Sequence, residues 1–213
     1  MTDQAEKTLM EHLKESTREM HDSAESSQFQ GHLTHGRLPL DSYVDYLEQL
    51  YLVHGTIERE IQKHAPGSSF DGVVTQEQLQ VPFLKRDLEH FKRSPEKIKA
   101  VPSTENLLKE IARLSDSCPP ALLGMHYVLL GSKHGAKFIA KSCKEKYQLD
   151  DSGGVVYFDP YGPNFMPLWK SFKESMNKIE INESEMNTMC DAAGKMFIAV
   201  GKIGAELLPF AKI

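Results

Sequence analysis

Four side chains near the amino terminus, Lys14, Arg18, His21 and Glu25, are separated by four, three and four residues. On a helix that spacing puts all four along one face. Leu9, Leu13, Met20 and Ala24 recur at helical spacing beside them, so the ionic face borders an apolar stripe. A face half turned to a core and half charged suits the edge of a ligand site. His21 can offer a neutral imidazole to iron. Glu25, one turn later, can accept a hydrogen bond from the other ring nitrogen, which would fix the ring and raise its basicity. Lys14 and Arg18 are placed to meet ligand carboxylates. The plainer alternative is a surface His/Glu pair, which stabilises a helix only weakly and is common in a chain with nine histidines.

A second feature lies in MHYVLLGSKHGAKFIAK. Tyr127, Gly131 and Gly135 follow one another at i,i+4, and Gly124 falls near the same stripe. Glycine inside a helix costs roughly 1 kcal/mol relative to alanine, so two on one face imply that something approaches the backbone closely. A flat macrocycle is one such partner: without Cβ atoms the helix can lie against it and leave room for a diatomic ligand. A neighbouring helix is the other. Spacing alone leaves both open.

Taken together these segments resemble a known family. LKESTREMHDSAESSQF resembles the proximal-helix segment of haem oxygenases, and GSKHGA resembles the bacterial form of their distal glycine helix. VVYFDPYG followed by FMPLWKSFKESMNKI resembles the region that joins the distal helix to the next. The resemblance runs from about Leu13 to Leu208. It implies an all-α, multi-helical fold with haem held between proximal and distal helices. The implied activity is O₂- and electron-dependent opening of haem to biliverdin, carbon monoxide and ferrous iron, with haem b as both substrate and prosthetic group. It further implies iron ligation by His21, with Glu25 as its hydrogen-bonding partner, and haem contact by Gly131, Ser132 and Gly135. Tyr127 matches a position where bacterial members place a tyrosine near a propionate. Lys14 and Lys173 match basic propionate contacts, and Arg18 is placed for the same duty.

There are departures from the family pattern. Ser132 stands where the animal enzymes have an aspartate that organises distal water, so any water network here must be built differently. Lys133 and His134 are unusual beside the glycines. On an ideal helix His134 lies about 60° from the Gly131 stripe, and it is taken as a flanking polar residue outside the site.

The wider sequence sets the frame for these motifs. Of 213 residues, 40% are hydrophobic and 26% charged, an ordinary globular balance. A formal charge of −5 argues against nucleic-acid binding. Cys118, Cys143 and Cys190 are far apart with no CxxC pair, which suits reduced thiols and a cytoplasmic setting. The amino terminus has no long apolar run, and MFIAVGKIGAELLPFAKI is broken by Lys202 and Glu206, so a soluble protein with no membrane anchor is expected.

Helical periodicity predicts one helix through Ala24, a second over Tyr43 to Ile61 and a third from about Leu79 to Phe91, with Pro82 either a kink or a start. A fourth helix opens near Ser103. The next runs from Pro119 through both glycines to about Lys146, and others start at Phe165 and Glu183. GGVVYFDPYGPNF is expected to be extended. No repeat or linker divides the chain, so one helical domain over 1–213 is expected.

No flavin or nicotinamide motif is present, so electrons must come from an external donor such as a ferredoxin, flavodoxin or reductase. Three rival readings remain. One is a non-degrading haem carrier or sensor on the same fold. Another is a different enzyme on that fold, either a thiaminase-like hydrolase or a di-iron oxidase, which would need several carboxylate and histidine ligands on facing helices. The third is a purely structural helical protein.

Overall fold

The computed structural model describes residues 7–208. The ends of the expected 1–213 domain, and with them the last residues of the apolar carboxyl-terminal stretch, lie outside the described residues. Among those described the chain is all helical, with no strand. GGVVYFDPYGPNF, expected to be extended, forms turns and a single 3-10 turn at Gly162–Asn164.

Helix α1 (Leu9–Ser16) opens on a capping box in which Thr8 and Glu11 satisfy each other's backbone donors. The helix expected to continue to Ala24 breaks at Thr17. The Thr17 hydroxyl donates to the Leu13 carbonyl at 2.6 Å, and such back-bonding competes with the helical ladder and bends it. Helix α2 (Arg18–Glu25) resumes at once. A short α3 (Gln28–Thr34), capped by Ser27, was not anticipated. Next come α4 (Leu40–His64), α5 (Val81–His90) and α6 (Pro102–Ser117). Pro82 sits in the first turn of α5, where its missing N–H costs nothing, so it marks a start and not a kink.

The predicted glycine helix is also divided. Pro119–Ala121 make a 3-10 turn leading into α7 (Leu122–Gly131), and α8 (Lys133–Tyr147) follows after a break at Ser132. The Ser132 hydroxyl donates to the Leu129 carbonyl at 2.7 Å, the same physical device as at Thr17. Helices α9 (Phe165–Met176) and α10 (Glu183–Glu206) complete the chain, the latter opening on a capping box of Asn182 and Glu185.

Helix α10 runs through the middle, packing on α7, α6, α1, α2 and α3. Close approach along it depends on small residues. Gly124 of α7 abuts the Met189 backbone of α10, Gly194 meets the Met20 methyl of α2, and Gly204 meets the Phe29 ring of α3. Helix α4 packs on α5, α6 and α7 and buries Tyr43, Leu47, Leu50, Ile57 and Ile61 in the core. None of the described helices is long and apolar enough to cross a membrane.

Candidate functional site

Two tethers hold the His21-bearing helix in place. At one end, the Met10 N–H of α1 donates to Asn177 Oδ1 of α9 at 3.0 Å. At the other, α3 packs on α8, where the Cys143 thiol faces the Leu33 carbonyl. Helix α2 is strung between these anchors and lies on α10, where the His21 ring meets Phe197 edge-on with centroids 5.6 Å apart. A direct link then joins it to the glycine helix: the Tyr127 side chain of α7 interacts with that of Thr17. His21 lies one turn beyond Thr17, and Gly131 one turn beyond Tyr127. The two features singled out in the sequence therefore sit on elements that touch one turn, about 6 Å, before each.

The same contacts set the two lysines. Met10 of α1 meets Asn177 of α9, while Thr17, further along α1, meets Tyr127, which lies against Trp169 of α9 with ring centroids 5.7 Å apart. Helices α1 and α9 are thus antiparallel. Lys14, one turn after Met10, and Lys173, one turn before Asn177, fall at the same level of two touching helices. Both are exposed, as is Arg18 in the first turn of α2.

The glycines divide into two kinds. A Cβ on Gly124 would overlap the Met189 carbonyl, so this one serves helix–helix packing. A Cβ on Gly131 would meet the edge of Trp169 at 3.4 Å, ordinary contact. A Cβ on Gly135 would meet nothing within 4 Å. Phe138, three residues on and on the same side, leaves 59% of its surface exposed. Gly135 therefore presents a strip of bare backbone that continues into the exposed Phe138 ring, whereas Gly131 lies against Trp169.

Of the three residues that depart from the family pattern, Lys133 turns inward, Ser132 stays at the surface, and His134 packs beside Gly131 on the Trp169 ring that Gly131 itself faces. His134 Nδ1 lies 2.8 Å from the Gly131 carbonyl, and its ring stacks edge-on against Phe165 and Trp169. Lys133 is buried. Its ammonium donates to the Tyr157 carbonyl at 2.6 Å and lies over the Tyr157 ring. Desolvation pulls its pKa well below the usual lysine value. Lys133 continues the buried face of Leu129, Leu130, Ala136 and Ile139 at helical spacing, while Ser132 is exposed.

His21 is accessible, with 49% of its side chain exposed. Nδ1 lies 3.3 Å from Asp22 Oδ1, and Nε2 lies 3.7 Å from Glu25 Oε1, beyond hydrogen-bonding distance. Helix α2 buries no residue fully, so the expected half-buried stripe is shallower here: Met20 and Ala24 are only partly covered. Among the described residues no three His, Cys, Asp or Glu side chains converge to hold a metal ion. Ligation of a haem iron by one histidine does not require such a cluster.

Sequence reasoning missed a buried polar group behind the glycine strip. His54 Nε2 lies 3.1 Å from the Tyr157 hydroxyl, and His54 Nδ1 lies 3.3 Å from Glu58 Oε1. Glu58 accepts from the Gln80 and Val81 N–H groups at 2.7 and 3.4 Å. The one available signal was His54 and Glu58 at i,i+4 on α4, inside an otherwise apolar helix face.

A family model described as heme oxygenase matches residues 7–204. The chain belongs to the haem oxygenase family. Among curated relatives, heme oxygenase 1 of Gallus gallus is 26% identical over 197 residues, covering 89% of this chain and 66% of that protein. The Homo sapiens heme oxygenase 1 is 25% identical over 206 residues, covering 93% of this chain and 71% of that protein. This chain thus spans about two thirds of the length of these relatives. Among solved structures, heme oxygenase from Leptospira interrogans superposes with a TM-score of 0.86 at 22% identity, covering 94% of this chain and all of that one. The heme complex of heme oxygenase-1 from Synechocystis sp. PCC 6803 gives 0.85 at 21% identity, covering 94% and 92%. These superpositions show the haem oxygenase fold.

Proposed function

We propose that this chain is a haem oxygenase that binds haem b through His21 and cleaves it, with O₂ and externally supplied electrons, to biliverdin, carbon monoxide and ferrous iron. The observation that carries the reading is the open backbone at Gly135 on α8, which follows directly on α7, the helix tied through Tyr127 and Thr17 to the one that carries an accessible His21 imidazole.

The residues present suit such a group. A planar ring needs a face without Cβ atoms, and Gly135 supplies one where a side chain would occupy open space. A neutral imidazole suits iron, and His21 is exposed with its Nε2 free of a close hydrogen bond. Two propionates need cations at one level, and Lys14 and Lys173 lie level on α1 and α9, with Arg18 and Tyr127 on adjoining turns. Haem itself supplies the O₂ chemistry once reduced. The protein's part is to orient the ring, to hold its carboxylates so that one edge faces the glycine strip, and to keep bulky groups off that strip. Neutral imidazole ligation lacks the electron push of a thiolate, which favours early O–O cleavage.

The departures at Ser132, Lys133 and His134 keep a non-degrading carrier or sensor open as the alternative. Lys133 is buried against the Tyr157 carbonyl and so does not bear on that choice, whereas His134 stays beside Gly131. We place the protein in the cytoplasm as one helical domain served by a ferredoxin, flavodoxin or reductase. The test is reconstitution with haem followed by ascorbate or a reductase system. Growth of a Soret band on titration and its replacement by biliverdin absorption support the reading. A stable Soret band that resists reductant would favour the carrier, and no Soret band would remove both.

A further inference from the structure

Gly131 and Gly135 are one helical turn apart in sequence, yet only one of them is open. A Cβ on Gly131 would meet Cη2 and Cζ3 of Trp169 at 3.4 and 3.8 Å, whereas one on Gly135 would meet nothing within 4 Å. The indole of α9 already occupies the ground beside Gly131. The bare backbone open to a ligand begins beyond it.

The indole is firmly held there. Trp169 is only 9% exposed. Tyr127 of α7 and Phe172 and Phe165 of α9 lie with ring centroids 5.7, 5.5 and 6.3 Å away. His134 of α8 stands edge-on to it at 5.0 Å and 89°. His134 is itself fixed, since its Nδ1 lies 2.8 Å from the Gly131 carbonyl and its ring meets Phe165 edge-on at 4.8 Å. A carbonyl can only accept, so Nδ1 carries the proton and donates it. Tilted, stacked and edge-on ring pairs at such spacings add to what burial alone contributes. Swinging the indole out would forfeit all of them and expose a large apolar surface.

Lys173 follows Trp169 by one turn on the same face of α9. An apolar plate is therefore followed along that face by an exposed cation. A haem rim carries the same two kinds of group, carboxylates on one edge and methyl and vinyl groups on the others.

We propose that Trp169, braced by His134, is the end wall of the haem seat. It keeps the ring off Gly131 and takes a methyl- and vinyl-bearing edge against the indole. In this way it fixes the in-plane rotation that decides which meso carbon lies on the open Gly135 side. The inference rests on the haem oxygenase reading above and adds to it a specificity-determining residue. It also changes the duty of Gly131. The resemblance to haem oxygenases sets that glycine against haem, whereas here its bare Cα faces the indole.

The test uses the ferric, cyanide-bound haem complex and reads it by proton NMR, in which the pattern of haem methyl resonances reports the in-plane rotation of the ring. Trp169→Phe withdraws the edge over Gly131 while keeping an aromatic ring in the cluster. It should raise the minor seating by about 2- to 10-fold, the scale of one aromatic contact, with haem affinity within about threefold of the parent. The ratio of biliverdin isomers should change in step. His134→Ala, at an exposed position, removes the brace and should shift the pattern the same way by less. Gly131→Ala should match the parent in pattern and affinity, because its Cβ meets the indole in ordinary contact. An unmoved pattern in a folded Trp169→Phe overturns the proposal, even if that variant melts earlier. Where Trp169→Phe does not fold, an unmoved pattern in His134→Ala does the same. A Gly131→Ala protein with a changed pattern, or with affinity lowered by about tenfold, also overturns it, since haem would then lie on Gly131. Failure of the parent to take up haem overturns the functional reading instead, and is seen before any variant is made.

Discussion

Replacing Gly135 with leucine should move stability and function in opposite directions. The position lies within α8, and a Cβ there meets nothing within 4 Å. Leucine is favoured over glycine in a helix by about 0.8 kcal/mol. With no steric cost in the haem-free protein, that gain should raise its melting temperature by about 2–3 °C for a chain of this size. If haem occupies the open face, the same side chain must displace it or shift the helix, and overpacking of this kind costs about 1–3 kcal/mol. That corresponds to a loss of about 5- to 160-fold in haem affinity, with a matching loss of biliverdin yield. Gly124→Ala is the contrasting variant. Its Cβ would overlap the Met189 backbone of α10, so it should destabilise the haem-free protein. Thermal melting, haem titration and product yield should be measured on both. A Gly135→Leu protein that melts higher and retains full affinity and yield would refute the reasoning, because the strip would then face only solvent.

Other predictions follow from single contacts. His21→Ala should leave the far-ultraviolet circular dichroism unchanged, since α2 buries no residue fully, but alter the ferric haem spectrum; an identical spectrum would show that another group ligates the iron. Lys14→Ala and Lys173→Ala should each weaken haem binding or change the ratio of biliverdin isomers, and parental affinity and product in both would remove the propionate assignment. Burial pushes the His126 pKa down to about 3. The unfolded chain takes up that proton near the ordinary value of about 6.5, so between these limits the unfolded state binds more protons and stability falls as pH falls. His126→Gln should flatten that slope by up to about 1.4 kcal/mol per pH unit, read from denaturant unfolding at several pH values, and an unchanged slope would count against it. The Cys143 thiol, pushed up to about 12 by burial, should resist alkylation in the folded protein, whereas rapid labelling would show that the α3–α8 contact opens.

The elements most visible in the sequence were those with long apolar periodicity. Helix α4 emerged from Tyr43, Leu47, Leu50, Ile57 and Ile61 because an amphipathic helix repeats its core face every three to four residues. Breaks within helices were not visible. Thr17 and Ser132 are ordinary residues for a helix surface, and only the direction of each hydroxyl, back onto a carbonyl of the preceding turn, divides α1 from α2 and α7 from α8. Helix α3, at seven residues, is too short for periodicity to register. The loop before α9 read as extended because of its β-branched and aromatic residues. Two of its backbone donors, the N–H groups of Val156 and Tyr157, are instead taken by Asp87, a partner about seventy positions away that no local pattern could reveal.

The contacts at the α7–α8 junction also decide what the unusual residues beside the glycines mean. On one continuous helix, Lys133 and His134 would flank the strip at fixed angles, and a charged group there would oppose a bound ring. The hydroxyl of Ser132 donates to the Leu129 carbonyl, and at the start of α8 Lys133 reaches the Tyr157 carbonyl while His134 lies against Trp169 beside Gly131. The lysine that looked like an obstacle becomes a tie between α8 and the loop that carries Tyr157. A carboxylate at position 132 would bring a charge to the strip directly. This chain instead has a neutral group at position 132 and keeps its carboxylate, Glu58, buried with Oε1 3.3 Å from His54 Nδ1.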